Sequence, residues 1–112
     1  MQEEVEYDSL KLAVAVKDNG QVVVDIKGRL ETANSNSFLN YMAEVIDDAA
    51  TGCELVLSMA DLYYVSSTGI GAFTTILVNS KKKNIQLFIK DMQPKVKSVM
   101  ELLGFTSFFN FR

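Results

Sequence analysis

The sequence contains no histidine, and this absence excludes several kinds of chemistry at once. Ser-His-Asp and Cys-His catalysis need an imidazole base, phosphohistidine transfer needs the same ring, and histidine is a frequent zinc ligand. The carboxylates are scattered along the chain, without a pair spaced for acid–base catalysis. We therefore expect that the protein is not an enzyme and that it has no catalytic residue, no metal site and no cofactor.

Cysteine and long apolar runs are also scarce. Cys53 is the only cysteine, so no internal disulfide can form, and a reducing compartment is expected. No apolar run approaches the roughly 20 residues that a membrane-spanning helix needs. The acidic N-terminus, Met-Gln-Glu-Glu-Val-Glu, has neither the basic nor the apolar region of a signal peptide. We expect a cytoplasmic protein that does not associate with a membrane.

The composition predicts one small folded domain over residues 1–112. Of these 112 residues, 48% are hydrophobic and 22% are charged, which is typical of a packed globular chain. The net charge of −3 combines twelve acids and four bases in residues 1–61 with two acids and seven bases in residues 62–112. Part of the basic excess is the lysine run 81–83, at the end of a predicted helix, where lysines complement the helix dipole. Because the whole chain is acidic and shows no recognised nucleic-acid module, we expect no direct binding to nucleic acid.

The spacing of apolar residues predicts the element order β-β-α-β-α-β-α. Strands are expected at residues 10–16, 21–27, 54–58 and 85–89, and helices at 38–52, 69–82 and 94–103. The dipeptide Asn19-Gly20 between the first two strands predicts an antiparallel hairpin. The strand–helix–strand connections that follow make the later strands parallel. We expect an α/β fold with a mixed four-stranded sheet, an antiparallel N-terminal hairpin at its edge and three main helices.

A short aromatic segment ends the chain, with Phe105, Phe108, Phe109 and Phe111 within seven residues. We expect these phenylalanines to close the core under the sheet. The alternative, an exposed aromatic patch, would indicate an interface with another molecule.

Residues 65–71 (Val-Ser-Ser-Thr-Gly-Ile-Gly) carry the most informative local pattern. Three hydroxyl side chains end an apolar stretch and precede a helical pattern, so they are natural N-caps. The free N–H groups of a first helical turn also favour a bound phosphate. Two interpretations are open: simple capping, or a place where a phosphate is added to a serine. Gly69 and Gly71 are expected to form a structural turn that allows close backbone approach.

A nucleotide-binding turn is an alternative from a different functional class. Gly69-Ile70-Gly71 follows a predicted strand, and Asp91 lies twenty residues beyond, a spacing found in dinucleotide-binding proteins. Thr74 occupies the place of the third glycine, however, and the chain has no room for a second mononucleotide-binding half. This alternative is a small nucleotide-binding protein that uses the Ser67–Gly71 turn.

Three separated segments together resemble the STAS domain. They are residues 28–31 (Gly-Arg-Leu-Glu), residues 66–71 (Ser-Ser-Thr-Gly-Ile-Gly) and residues 102–105 (Leu-Leu-Gly-Phe), and the resemblance covers about residues 8–110. More narrowly, the chain resembles the small stand-alone bacterial anti-sigma factor antagonists. The resemblance implies partner switching: the unphosphorylated antagonist binds an anti-sigma factor, which is also a serine-protein kinase. Phosphorylation releases the antagonist, and a metal-dependent serine phosphatase removes the phosphate.

The resemblance also implies site residues in this sequence. The phosphoacceptor corresponds to Ser67, with Ser66 and Thr68 as alternative acceptors. The implied partner-binding set is Glu31, Ser66, Ser67, Thr68, Gly69 and Ile70.

Three positions depart from the family pattern: Ser66 and Ser58 each stand where the family usually has Asp, and Glu31 stands in place of another Asp. These departures keep a further alternative open. In that alternative the chain is a STAS subunit of another assembly, such as a lipid-transport or stress-sensing complex, and is not phosphorylated.

Overall fold

The computed structural model describes residues 2–112 and places ten regular elements and one 3₁₀ turn along the chain. The strands are β1 (Gln2–Tyr7), β2 (Leu10–Val16), β3 (Val22–Leu30), β4 (Glu54–Ser58), β5 (Leu62–Val65), β6 (Gln86–Lys90) and β7 (Asn110–Phe111). The helices are α1 (Thr32–Asp48), α2 (Ser67–Lys82) and α3 (Pro94–Leu102), and the 3₁₀ turn covers Thr106–Phe108.

All seven strands belong to one sheet with the order β1-β2-β3-β4-β6-β7, and β5 pairs with the second half of β3. The pairs β1–β2 and β2–β3 are antiparallel, whereas β3–β4, β4–β6, β6–β7 and β3–β5 are parallel. The predicted α/β fold, with a mixed sheet, antiparallel N-terminal strands and three helices, is therefore confirmed. The expected count of four strands is too low, because β1, β5 and β7 were not predicted.

The three additional strands are short or unfavourable in sequence. β1 contains Glu3, Glu4 and Glu6, and glutamate is a poor strand former, so its position depends on pairing with β2 along the full length of β1. It forms an outer edge of the sheet with most of its residues exposed. β5 and β7 have four and two residues, too few for an alternating pattern to be recognised.

The core lies between the sheet and the helices. The central strands each supply fully buried aliphatic side chains, among them Leu12 of β2, Val24 of β3 and Leu57 of β4. Phe38 of α1 and Phe73 of α2 meet edge to face with ring centroids 5.8 Å apart. This aromatic pair joins the two helices above the sheet and fixes how their first turns lie relative to each other.

Helix α1 begins at Thr32, six residues before the predicted start at Phe38. The polar residues 32–37, which include several that favour N-cap positions, form the first turns of the helix itself. Asn34 and Ser35 are buried there and are hydrogen-bonded: the Ser35 hydroxyl donates to the Thr32 carbonyl at 3.0 Å. Burial with satisfied hydrogen bonds allows these polar residues to occupy the inner face of a helix.

Helix α3 ends at Leu102, one residue before the predicted end at residue 103, and Gly104 follows with a φ of +78°. The N–H of Phe105 donates to the Met100 carbonyl at 2.9 Å, and the N–H of Gly104 donates to the Glu101 carbonyl at 3.0 Å. This pair of bonds is a Schellman motif, in which a left-handed residue after the helix closes its last turn.

The aromatic tail divides into two groups. Phe109 is buried, and Phe105 and Phe111 are half-buried against the core, in agreement with a closing role. Phe108 is 62% exposed, because the 3₁₀ turn directs it away from the sheet. The expectation that all four phenylalanines close the core is therefore wrong for Phe108.

Candidate functional site

The first turns of α1 and α2 lie side by side at the carboxyl-terminal ends of β3 and β5. This follows from the parallel pairing of β3 with β5, which aligns Leu30 with Val65, so that both strands end together and both helices start there. The hydroxyl of Thr32 in α1 lies 3.4 Å from the hydroxyl of Thr68 in α2. We call the exposed residues of this region the junction surface: Arg29, Glu31, Thr32, Tyr64, Ser67 and Thr68.

Ser66 is the N-cap of α2. Its Oγ accepts a hydrogen bond from the N–H of Gly69 at 3.1 Å, and its own N–H donates to the Leu30 carbonyl at 2.8 Å. Serine and aspartate are comparable N-caps, so the serine at this position keeps the capping function that an aspartate would have. The capping predicted for the hydroxyl run is confirmed at Ser66.

Ser67 is the first residue of α2, and its side chain is exposed. Within residues 2–112 no protein group is hydrogen-bonded to its hydroxyl. The first turn of a helix also presents backbone N–H groups that have no partner within the helix. Ser67 thus combines an accessible oxygen with surroundings that favour a negative charge.

Gly69 is where the chain requires a glycine. A Cβ on Gly69 would lie 2.8 Å from Cγ of Leu30 and 2.9 Å from Cγ1 of Val65, and both of these side chains belong to the core. At Gly71, in contrast, a Cβ would have no atom within 4 Å. The close approach expected for both glycines is therefore present at Gly69 only, since Gly71 lies on the exposed side of the helix.

Ile70 does not lie on the junction surface. Its side chain is 1% exposed and belongs to the core cluster, together with Phe73 one helical turn later. The free chain does not present the Ile70 side chain to a partner, because the apolar face of α2 points inward from its first turn. Of the other predicted contact residues, Gly69 is buried, Ser66 and Glu31 are half-buried, and Ser67 and Thr68 are exposed. The Glu31 side chain is 40% accessible.

Glu31 directly precedes α1, and its carboxylate is held in place from two sides. Oε1 accepts from Nε of Arg29 at 3.0 Å, and Oε2 accepts from the Ser9 hydroxyl at 3.3 Å. The guanidinium of Arg29 also lies over the ring of Tyr64, 4.3 Å from its centroid. Such exposed contacts contribute little to stability, but they hold the charged groups of the junction surface in defined orientations.

Sequence reasoning missed two contributors to this region. Tyr64 belongs to strand β5, which was not predicted, so no sequence pattern indicated that Tyr64 lies beside Arg29. Asn34 is 2% exposed: its Oδ1 accepts from the N–H of Glu31 at 2.8 Å, and its Nδ2 donates to the carbonyls of Tyr7 at 3.3 Å and Arg29 at 3.1 Å. Its position three residues after Glu31 is the spacing of a helix capping box and was an available signal.

Across residues 2–112 no three His, Cys, Asp or Glu side chains gather as a possible metal site. Over the same range no helix has both the length and the apolar character needed to cross a membrane.

The sequence profile of the STAS domain matches residues 13–112, so the chain belongs to the STAS domain family. A protein of Bordetella bronchiseptica named as an anti-sigma factor antagonist, BtrV, is 25% identical to it over 93 residues, which are 83% of this chain and 78% of that protein.

Solved structures of anti-sigma factor antagonists have the same fold. Unphosphorylated SpoIIAA superposes with a TM-score of 0.75 at 14% identity, covering 90% of this chain and 87% of that chain. An antagonist from Mycobacterium paratuberculosis gives a TM-score of 0.74 at 18% identity, with 95% and 87% covered. SpoIIAA of Bacillus has also been solved in a phosphorylated form, with a TM-score of 0.68 at 14% identity and 90% of each chain covered.

Proposed function

We propose that this protein is an anti-sigma factor antagonist that binds an anti-sigma factor through the junction surface and is released when Ser67 is phosphorylated. The observation that carries the proposal is the exposed Ser67 hydroxyl at the start of α2, beside the first turn of α1. The anti-sigma factor is the serine-protein kinase in this scheme, and a serine phosphatase restores the binding form. Residues 1–112 act as one STAS domain, in the cytoplasm.

The three neighbouring hydroxyls differ in how free they are to accept a phosphate. The Ser66 oxygen is already the acceptor for the N–H of Gly69, and the residue is half-buried. The Thr68 hydroxyl is in contact with that of Thr32. Ser67 alone among the three has an exposed hydroxyl without a bond to the rest of residues 2–112, and this supports Ser67 as the acceptor.

A phosphate at Ser67 is compatible with the fold and unfavourable for the complex. It adds about −1.5 to −2 charges and three strong acceptor oxygens at pH 7. The N-terminal end of α2 tolerates this anion, because the helix dipole and free N–H groups favour negative charge there. A partner that packs an apolar group or a carboxylate against the same hydroxyl has no such compensation.

Binding to the serine-kinase anti-sigma factors of the source organism, purified one at a time, tests the proposal. We expect Ser67→Asp to stay folded and to weaken binding about a hundredfold, which corresponds to ~3 kcal/mol. Ser98→Asp is the matched control, because it adds the same charge at an exposed serine in α3. We expect this control to bind like the parent chain.

Incubation with the same kinase and ATP, followed by mass-spectrometric site mapping, tests the acceptor. We expect phosphate on Ser67 in the parent chain, and Ser67→Ala should bind the kinase without being modified. Phosphate on Ser66 or Thr68 would contradict the assignment of the acceptor. If the chain binds the kinase but is not phosphorylated, the phosphorylation switch is refuted. The remaining functions are then a constitutive antagonist or a subunit of another assembly.

The relatives named for this chain are anti-sigma factor antagonists, and this supports the antagonist function over the nucleotide-binding alternative. Gly71 is exposed, and a Cβ added there would meet no atom within 4 Å, so packing does not require a glycine at this position. Titration with labelled ATP, GTP and NAD separates the two functions. We expect no saturable binding of these nucleotides. Saturable binding that disappears when Gly69 or Gly71 is substituted would support the nucleotide-binding alternative.

A further inference from the structure

A cavity of about 620 Å³ lies between the turn end of the β2–β3 hairpin and the last turns of α1. Its walls are aliphatic, with Val14, Val16 and Val22 from the hairpin, Val45 from α1 and Ala49 directly after the helix. We call it the hairpin cavity. Its volume falls within the range of about 300–1,000 Å³ that is usual for small-molecule sites, and an apolar lining is also usual for such sites.

The ionisable groups at the hairpin cavity are acidic. Glu3 of β1 and Glu44 and Asp48 of α1 line it, and no lysine or arginine among residues 2–112 does so. Glu44 and Asp48 are four residues apart on one helix, so both carboxylates project from the same face. An apolar chamber edged by carboxylates is complementary to a molecule that joins an aliphatic part to a positive charge.

Tyr41 lies in the wall of the hairpin cavity and orients one of its carboxylates. The ring is buried, and its hydroxyl donates a hydrogen bond to the Glu3 carboxylate. Burial, this hydrogen bond and the charges of Glu3 and Glu44 all raise the pKa of Tyr41 above its ordinary value. The hydrogen bond holds the Glu3 carboxylate at the edge of the cavity, and the neutral phenol adds no positive charge there.

We propose that the hairpin cavity binds a small amphipathic cation, an alkyl chain of about eight carbons that carries an amine or quaternary ammonium group. The chain packs against the valines, and the cationic head lies beside Glu44 and Asp48. α1 has 17 residues, a length of about 25 Å, so this site is at the opposite end of the helix from Thr32 and the junction surface. Binding here does not depend on the function proposed for Ser67.

Three ligands with the same chain test the role of charge: n-octylammonium, n-octanol and n-octanoate, titrated into the full chain at neutral pH. We expect n-octylammonium to bind about tenfold more tightly than octanol, or ~1.4 kcal/mol, and octanoate not to bind in the same concentration range. Methyl NMR shifts should localise to Val16, Val22 and Val45. Equal affinity for octylammonium and octanol, or no binding of octylammonium, would overturn the proposal.

Two adjacent aspartates provide a matched pair of variants. Asp48 lines the hairpin cavity, whereas Asp47 lies on another face of α1, in a groove beside Lys82 and Lys83. Asp48→Asn should weaken octylammonium binding about fivefold, and Asp47→Asn should leave it unchanged, although both remove one charge from the same helix end. Both variants should fold, because loss of an acid near a helix C-terminus is favourable to the helix dipole. An equal effect of the two variants would mean diffuse charge attraction and would refute a specific site.

Filling the cavity tests its location by a second route. Ala49→Leu places additional side-chain volume in the apolar wall, so octylammonium binding should be lost while the unfolding transition remains cooperative. Ala33→Leu, at an exposed position at the other end of α1, is the control variant. Ala50→Leu would not serve, because Ala50 also lines the cavity. Unchanged affinity in Ala49→Leu would overturn the proposed site.

Discussion

The hydroxyls of Thr32 and Thr68 lie 3.4 Å apart and bring the first turns of α1 and α2 into contact. The two helices follow different strands, and their junctions meet because β5 pairs with the end of β3. A partner that binds beside Ser67 therefore also meets Glu31 and the arginine that holds it. Two segments that are 35 residues apart in the sequence act as one surface.

Gly69→Ala should destabilise the protein by about 1–3 kcal/mol, since the new methyl group would overlap with Leu30 and Val65 in a packed core. Gly71→Ala is the matched variant, with open space around the added carbon and an expected gain of about 0.5–1 kcal/mol from helix propensity. Urea unfolding measures both. Similar midpoints for the two variants would contradict the special role of Gly69.

Ser66→Ala should lower the free energy of unfolding by about 1 kcal/mol, because the N–H of Gly69 loses its side-chain acceptor. Ser66→Asp should retain stability close to that of the parent chain, since a carboxylate accepts the same bond and favours the helix dipole. Chemical denaturation followed by circular dichroism provides the measurement. The capping role would be refuted if the alanine variant were as stable as the aspartate variant.

Asn34→Ala should cost about 2–3 kcal/mol of stability, because the N–H of Glu31 and the carbonyls of Tyr7 and Arg29 lose their buried partner. Asn36→Ala, at an exposed position of the same helix, should change stability by less than about 0.5 kcal/mol. Thermal and urea unfolding of both variants give the comparison. A loss at Asn36 that equals the loss at Asn34 would indicate a general effect of helix composition.

Arg112→Gln should raise the pKa of Glu54. In the parent chain a hydrogen bond from Arg112 at 3.1 Å, together with one from Gln21 at 3.0 Å, lowers the pKa of Glu54 below its ordinary value of 4.5. A lowered pKa in the folded state stabilises the protein above pH 4.5, and this contribution is lost as the pH falls through the lowered value. The stability difference between the parent chain and the variant should therefore be present at neutral pH and shrink in acid.

NMR titration of the Glu54 carboxyl carbon checks this expectation. Lys95→Gln removes the same charge from an exposed site and serves as the control. A Glu54 titration curve that is unchanged in Arg112→Gln would show that the ion pair does not form in solution.

The sequence predicted those parts of the molecule that local interactions determine. The start of α2 follows from the hydroxyl run and the apolar spacing behind it, and both are confirmed by the cap at Ser66. β1 could not be predicted, because a glutamate-rich segment becomes a strand only through its pairing with β2. The burial of Ile70 also depends on how α2 lies on the sheet, which residue spacing in a short motif does not determine.

The acidic outer strand β1 has a consequence for how this protein meets other molecules. The opposite edge of the sheet is partly covered by β7, which pairs with Phe88 and Ile89. At the open edge, a second copy adding its own β1 would bring the glutamates of the two chains together, and like charges oppose such pairing. Pairing between two copies through β1 is thereby disfavoured, as acidic side chains on an edge strand oppose its extension by another chain.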